Sequence, residues 1–183
     1  LNLFARRLKS TSSAKKKNKR KSAVREQNSM ELSAARSLIF NQILAARVQD
    51  GSWNTGLNGE VFNLNGSGSI FASEHMDETL QARLASGDIH PTAVMWGAGN
   101  NKVAGDAAEL ENTVVQQDAL LAALATGLEQ REVKAQRRAL RLPVEDLSWR
   151  WADEQDGEQT LVLSFTLTTG SFATSVLASV VEH

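Results

Sequence analysis

Cysteine is absent from this 183-residue chain, and that absence removes several chemistries at once. Disulfide frameworks, thiolate nucleophiles and cysteine-ligated metals are excluded, and the composition suits a reducing cytoplasm. Long apolar runs are missing too. The longest, Ala119 to Leu128, is too short to span a bilayer and is interrupted by Thr126 and Gly127, so no membrane partner is expected. The basic N-terminus lacks the apolar block and cleavage site of a secretory signal. His75, His90 and His183 are scattered without ligand spacing, so structural or surface roles are expected and no metal. Gly66-Ser67-Gly68-Ser69 lacks the Gly-Lys-Ser/Thr ending of a phosphate-cradling loop, and no Gly-x-Ser-x-Gly elbow occurs. That stretch and Gly97-Ala98-Gly99 therefore read as tight turns. Because the chain begins at Leu1 rather than Met, it is expected to be a piece of something longer.

Acidic residues are missing from one region only. Residues 1–25 carry ten of the twenty Lys and Arg and no acid, while the remainder holds ten bases and all twenty-one acids. Such asymmetry points either to a polyanion partner for a basic arm or to a solvated tail without one. The candidate phosphate-binding residues are Lys15, Lys16, Lys17, Lys19, Arg20 and Lys21. Residues 10–29, rich in Ser, Lys and Asn, read as a mobile linker.

The 183 residues can hold one domain or one and a half, and with 42% of them hydrophobic they can build a sizeable core. Leu32, Ala35, Ile39, Ile43 and Ala46 keep helical spacing, and Gly51 closes that segment. Short alternating pieces at Val61–Leu64 and Ser69–Phe71 predict paired strands, and a short helix is expected from Met76 to Leu84, ended by Ser86-Gly87. Asp106 and Glu109 form a capping-box-like pair opening a helix that carries Leu110, Val114, Leu121, Leu124 and Leu128 on one face. A second helix is expected from about Glu129 to Leu140, stopping before Pro143. It would stack Arg131, Lys134, Arg138 and Arg141 on one side, a stripe that either tracks phosphates or is a plain solvated face.

Near the end, Leu147, Trp149 and Trp151 alternate as a strand, with both tryptophans read as core aromatics and base stacking as the alternative. Asp156-Gly157 lies in the connection to a strand carrying Leu161, Leu163, Phe165 and Leu167, which predicts a hairpin. That strand runs into Gly170-Ser171-Phe172-Ala173-Thr174-Ser175-Val176-Leu177. Gly170 permits a sharp turn, Ser171 can cap the next helix, and Phe172 is held at a strand-to-helix corner. The fold class is thus α/β (α+β), with mixed helices and strands leading to a β-hairpin and a final helix.

The segment Gly170 to Leu177 closely resembles the Gly-Ser-Phe-Ala-Thr-Ser-Val-Val motif of TruD-type tRNA pseudouridine synthases. Ser33-Ala34-Ala35-Arg36-Ser37-Leu38-Ile39-Phe40-Asn41 is similar to that family's Ser-Ala-x-Arg-Ser-x-x-Phe-Asn helix. Gly66 to Phe71 and Met95 to Gly99 resemble its two glycine-rich loops, and Asn2-Leu3 its entry to this region. Arg137-Arg138-Ala139-Leu140 with Leu147-Ser148-Trp149 is similar to its return to the catalytic core. Beyond the motif the match weakens, because Leu177-Ala178-Ser179 stands where the family often has Arg-Glu after Val-Val.

The resemblance implies an arm at 1–29, the family's inserted domain at 30–143, and at 144–183 the end of a catalytic domain with an antiparallel sheet. It implies isomerisation of the uridine at position 13 of certain tRNAs to pseudouridine. It further implies that no cofactor or metal takes part and that tRNA is the partner, and a cytoplasmic monomer is expected. The family's nucleophile is an aspartate in a Gly-x-Lys-Asp segment upstream of the insertion. This chain contains no Lys-Asp pair, so no catalytic residue is assigned within it and the chain alone is expected to be inactive. The residue carried over is Phe172, which in the family lines the site and contacts the extruded base. A non-catalytic RNA-binding module and a structural domain with a disordered arm remain the alternatives.

Overall fold

The computed structural model describes residues 29–152, 160–169 and 171–180. Its elements in chain order are α1 (29–49), β1 (Val61–Leu64), β2 (Ile70–Ala72), α2 (Glu78–Ala85), β3 (Ile89–Met95), α3 (Gly105–Gln117), α4 (Ala119–Gln130), β4 (Gln136–Ala139), β5 (Glu145–Trp151), β6 (Leu161–Thr166) and α5 (Ala173–Ala178). The chain is α+β. One sheet has the order β2-β1-β3-β4 and a second joins β5 to β6. The described residues fall into two compact units. One comprises 29–46, Val94–Asn101 and Leu110–Gln136; the other comprises Arg47–Ala93, Lys102–Glu109 and the described residues from Arg137 onward.

In the second unit, β1 runs antiparallel to β2, pairing Phe62 with Phe71, and antiparallel to β3, pairing Phe62 with Pro91. Phe62 is fully buried with Leu80, Leu84 and Ile89, and Leu64, Phe71 and Met76 pack around them. Burying one such ring contributes about 1.5–3 kcal/mol. The Asp77 carboxylate caps α2 by accepting from the Leu80 N–H at 2.7 Å. Gly87, at φ 76°, lies just past the helix end, as the Ser86-Gly87 pair predicts. The paired strands near 61–72 and this helix are therefore as expected.

Every residue of β3 is buried. No strand is predicted there because a continuous buried run has no alternation to read, and Pro91 argues against a central strand.

The long helix expected from Asp106 to Leu128 is broken. Asp118 ends α3 and caps α4, its carboxylate accepting from the N–H groups of Leu120 at 2.7 Å and Leu121 at 3.1 Å. A short side-chain acceptor competes with backbone carbonyls for those donors and resets the helix there. At the other end α3 begins at Gly105, which puts Asp106 inside its first turn, where Asp106 accepts from the Asn58 side chain at 3.0 Å.

The helix expected at Glu129–Leu140 is absent: α4 ends at Gln130, Glu132 takes φ 54°, and Gln136–Ala139 forms β4. A close backbone approach in the first unit decides this. The Ala98 N–H donates to the Val133 carbonyl and the Ala135 N–H to the Ala98 carbonyl, which fixes residues 133–135 extended beside 97–98. A Cβ on Gly97 would lie 2.0 Å from the Val133 oxygen, so this glycine makes the approach possible. Arg36 of α1 holds the same place, its Nη2 donating to the carbonyls of Met95 and Lys134 and to Gln136 Oε1, each at 3.2 Å. In consequence Arg131, Lys134, Arg138 and Arg141 form no helical stripe.

Candidate functional site

Around the C-terminal motif, β5 and β6 form the expected antiparallel hairpin, with Trp149 opposite Leu163 and Trp151 opposite Leu161. Its connection at Asp156-Gly157 lies outside the described residues. A register shift between Glu145 and Ser148 accompanies the positive φ of Asp146, 53°, and Thr166 Oγ1 donates to the Asp146 carboxylate at 3.3 Å. Among the described residues Trp149 and Trp151 are not core aromatics, being 66% and 56% exposed. Their expected burial fails because no described residue covers β5, all of whose residues are exposed.

After β6 the chain turns through a Ser171 N–H to Thr168 carbonyl bond of 3.1 Å and enters α5. Ser171 does not cap the helix as expected. Phe172 occupies the capping position in an extended conformation (φ −107°, ψ 113°), no side chain caps the helix, and the Phe172 carbonyl accepts from the Ser175 N–H at 3.0 Å. Phe172 is 70% exposed, so no core formed by the described residues takes up its ring. Gly170, which precedes it in the motif, and the basic residues Lys15, Lys16, Lys17, Lys19, Arg20 and Lys21 lie outside the described residues.

Sequence reasoning missed a polar chain in the same unit. Arg141 donates through Nε to His90 Nδ1 at 2.8 Å and through Nη2 to the carbonyls of Leu84 and Ile89 at 2.7 Å each, while Nη1 donates to Asn54 Oδ1. With Nδ1 accepting, His90 carries its proton on Nε2 and donates to Asn65 Oδ1 at 3.0 Å. Burial, and then the Arg141 charge, hold the His90 pKa below the ordinary imidazole range, with Asp88 opposing them. Burial also lowers the Arg141 pKa. This histidine is a hydrogen-bonded structural group, as its isolation in the sequence suggests, while His75 is exposed and His183 lies outside the described residues.

Arg141 and His90 line a groove of about 280 Å³ together with Asn63, Asn65, the Gly66–Gly68 turn, Leu142, Pro143, Thr168 and Ser171. The residue after Ser171 is Phe172. No sequence signal joins these parts, because the loop at 63–68 and the pair Thr168 and Ser171 lie about a hundred residues apart. Among the described residues no three His, Cys, Asp or Glu side chains are placed to hold a metal ion.

The family model described as tRNA pseudouridine synthase D (TruD) matches residues 5–180. The chain belongs to the TruD family. A tRNA pseudouridine synthase D of Psychrobacter arcticus is 69% identical over all 183 residues, which cover 45% of that protein. One from Xanthomonas campestris pv. campestris is 47% identical over 152 residues, 83% of this chain and 40% of its own length. The chain therefore spans less than half the length of these TruD relatives. A crystal structure described as a tRNA pseudouridine synthase D (TruD) from Methanosarcina mazei superposes with a TM-score of 0.61 at 26% identity, covering 78% of this chain and 35% of the other. Across the described residues no helix is long and apolar enough to cross a membrane.

Proposed function

We propose that this chain forms part of a tRNA pseudouridine synthase acting on the uridine at position 13 of tRNA in the cytoplasm, without a cofactor. The observation that carries the reading is the match to the TruD family over residues 5–180. Residues 30–143 correspond to the inserted domain and 144–183 to the end of the catalytic domain. Exposed apolar side chains support that second assignment: Leu147, Trp149, Trp151, Leu161, Leu177 and Val180 lie open along β5, β6 and the α5 region. Such a surface is costly in water and suits packing against protein outside this chain. The nucleophilic aspartate belongs there as well, because no Lys-Asp pair occurs here.

Tritium release from [5-³H]uridine-labelled tRNA tests the reading directly. The full-length protein is expected to release tritium and the 183-residue chain to release none. Silence from both would favour a non-catalytic RNA-binding module, and turnover by the chain alone would show that the nucleophile has been misplaced.

The basic arm supplies a sequence-independent grip on tRNA. Neutralised phosphates release counterions, so affinity falls steeply with salt. Replacing Lys15, Lys16, Lys17 and Lys19 together with alanine is expected to weaken tRNA binding and to flatten the log–log salt slope by up to about one unit per lost contact. Filter binding across a salt series measures this, and an unchanged slope would make the arm a spectator.

A further inference from the structure

The groove lined by Ser171, the residue before Phe172, has a chemistry of its own. The turn that forms one wall is rigidly held. Asn63 Nδ2 donates to the carbonyls of Ser67 at 2.9 Å and Ser69 at 3.2 Å, and Ser67 Oγ accepts from the Ser69 N–H at 3.1 Å. At its tip, Gly68 has no conformational reason to be glycine: its φ lies outside the left-handed region and a Cβ there would meet nothing within 4 Å. Glycine costs backbone entropy wherever it stands, and here the fold gains nothing from it. A bare backbone at a groove wall suits close approach by something outside the chain.

The other walls carry unspent polar groups. Asn65 commits its Oδ1 to His90, and no described partner takes its Nδ2 donors; Thr168 Oγ1 and Ser171 Oγ have none either. Arg141 spends four of its five N–H groups on fixed acceptors, which immobilises its charge at the groove and leaves one donor over. Among the described residues no acidic side chain lines the groove. One fixed cation, several neutral donors and a bare turn suit a ribose-phosphate unit better than an apolar ligand or another cation. The volume, about 280 Å³, has room for a single nucleotide.

We infer that this groove seats one nucleotide of the RNA substrate flanking the target uridine, with its sugar-phosphate against Gly66–Gly68 and Arg141. This rests on the synthase reading, and the test separates the two. In the full-length protein acting on transcribed tRNA, Gly68→Val should raise KM about tenfold at an unchanged melting temperature, with Gly68→Ala intermediate. Thr168→Val, which removes one hydroxyl at nearly constant volume, should raise KM severalfold. An inactive wild-type protein would overturn the synthase reading and this inference with it. An active wild-type protein whose KM is untouched by all three changes would overturn the inference alone. So would a drop in melting temperature for Gly68→Ala, because the glycine would then serve the fold.

Discussion

Phe172→Ala in the full-length protein should sharply reduce turnover and leave the melting temperature nearly unchanged. The ring is 70% exposed at the cap of α5, so its loss removes little buried surface from the described residues. An aromatic face beside an extruded uracil offers a stacking surface of about 1–3 kcal/mol, and it keeps water from the covalent step. Phe172→Leu, which keeps most of the volume but loses the π face, should be intermediate. Single-turnover tritium release and thermal unfolding on the same variants decide the matter. A large fall in melting temperature with a normal rate in the folded fraction would return Phe172 to a packing role.

Glu60→Gln should have the opposite profile, a large loss of stability through the fold. Glu60 and Arg47 are both fully buried, and Arg47 Nη2 lies 2.6 Å from Glu60 Oε2. Arg47 Nη2 also donates to the Ser52 carbonyl at 2.9 Å, and Glu60 Oε2 accepts from the Leu57 N–H at 3.3 Å. The pair therefore closes the loop from Ser52 to Glu60, which presents Asn54 to Arg141. Arg137 approaches the other Glu60 oxygen at 4.0 Å. Neutralising Glu60 leaves guanidinium charge buried without its counter-charge, a change that typically costs about 3–5 kcal/mol. Denaturant unfolding of the full-length protein measures it. The double change Arg47→Met with Glu60→Leu should recover much of the loss, since matched apolar groups carry no desolvation cost. A Glu60→Gln variant within about 0.5 kcal/mol of wild type would mean that the pair contributes little.

Elements that advertise themselves through short-range chemistry were readable from the chain alone. The helix at 29–49 has its apolar face in plain spacing, the strands at 61–72 alternate around a glycine turn, and the 145–166 hairpin alternates on both sides of Asp156-Gly157. The motifs at Ser33–Asn41 and Gly170–Leu177 were enough to point to the TruD family, which the match over 5–180 bears out.

Tertiary contacts decided the rest. Residues 129–140 have helical composition, yet the bare backbone of Gly97 and the Arg36 guanidinium bind 133–136 in extended form. Arg137 then lies buried against β3, donating to Thr92 Oγ1 at 2.9 Å and to the Thr92 carbonyl at 2.8 Å. A spacing rule counts charges along one segment and cannot register an acceptor 45 residues away. The groove is the same case: His90, Arg141, Gly68 and Thr168 carry no joint pattern in the sequence, and only folding brings them to one place. Local propensity is a weak term, a few tenths of a kcal/mol per residue, and buried hydrogen bonds and backbone sterics outweigh it wherever they conflict.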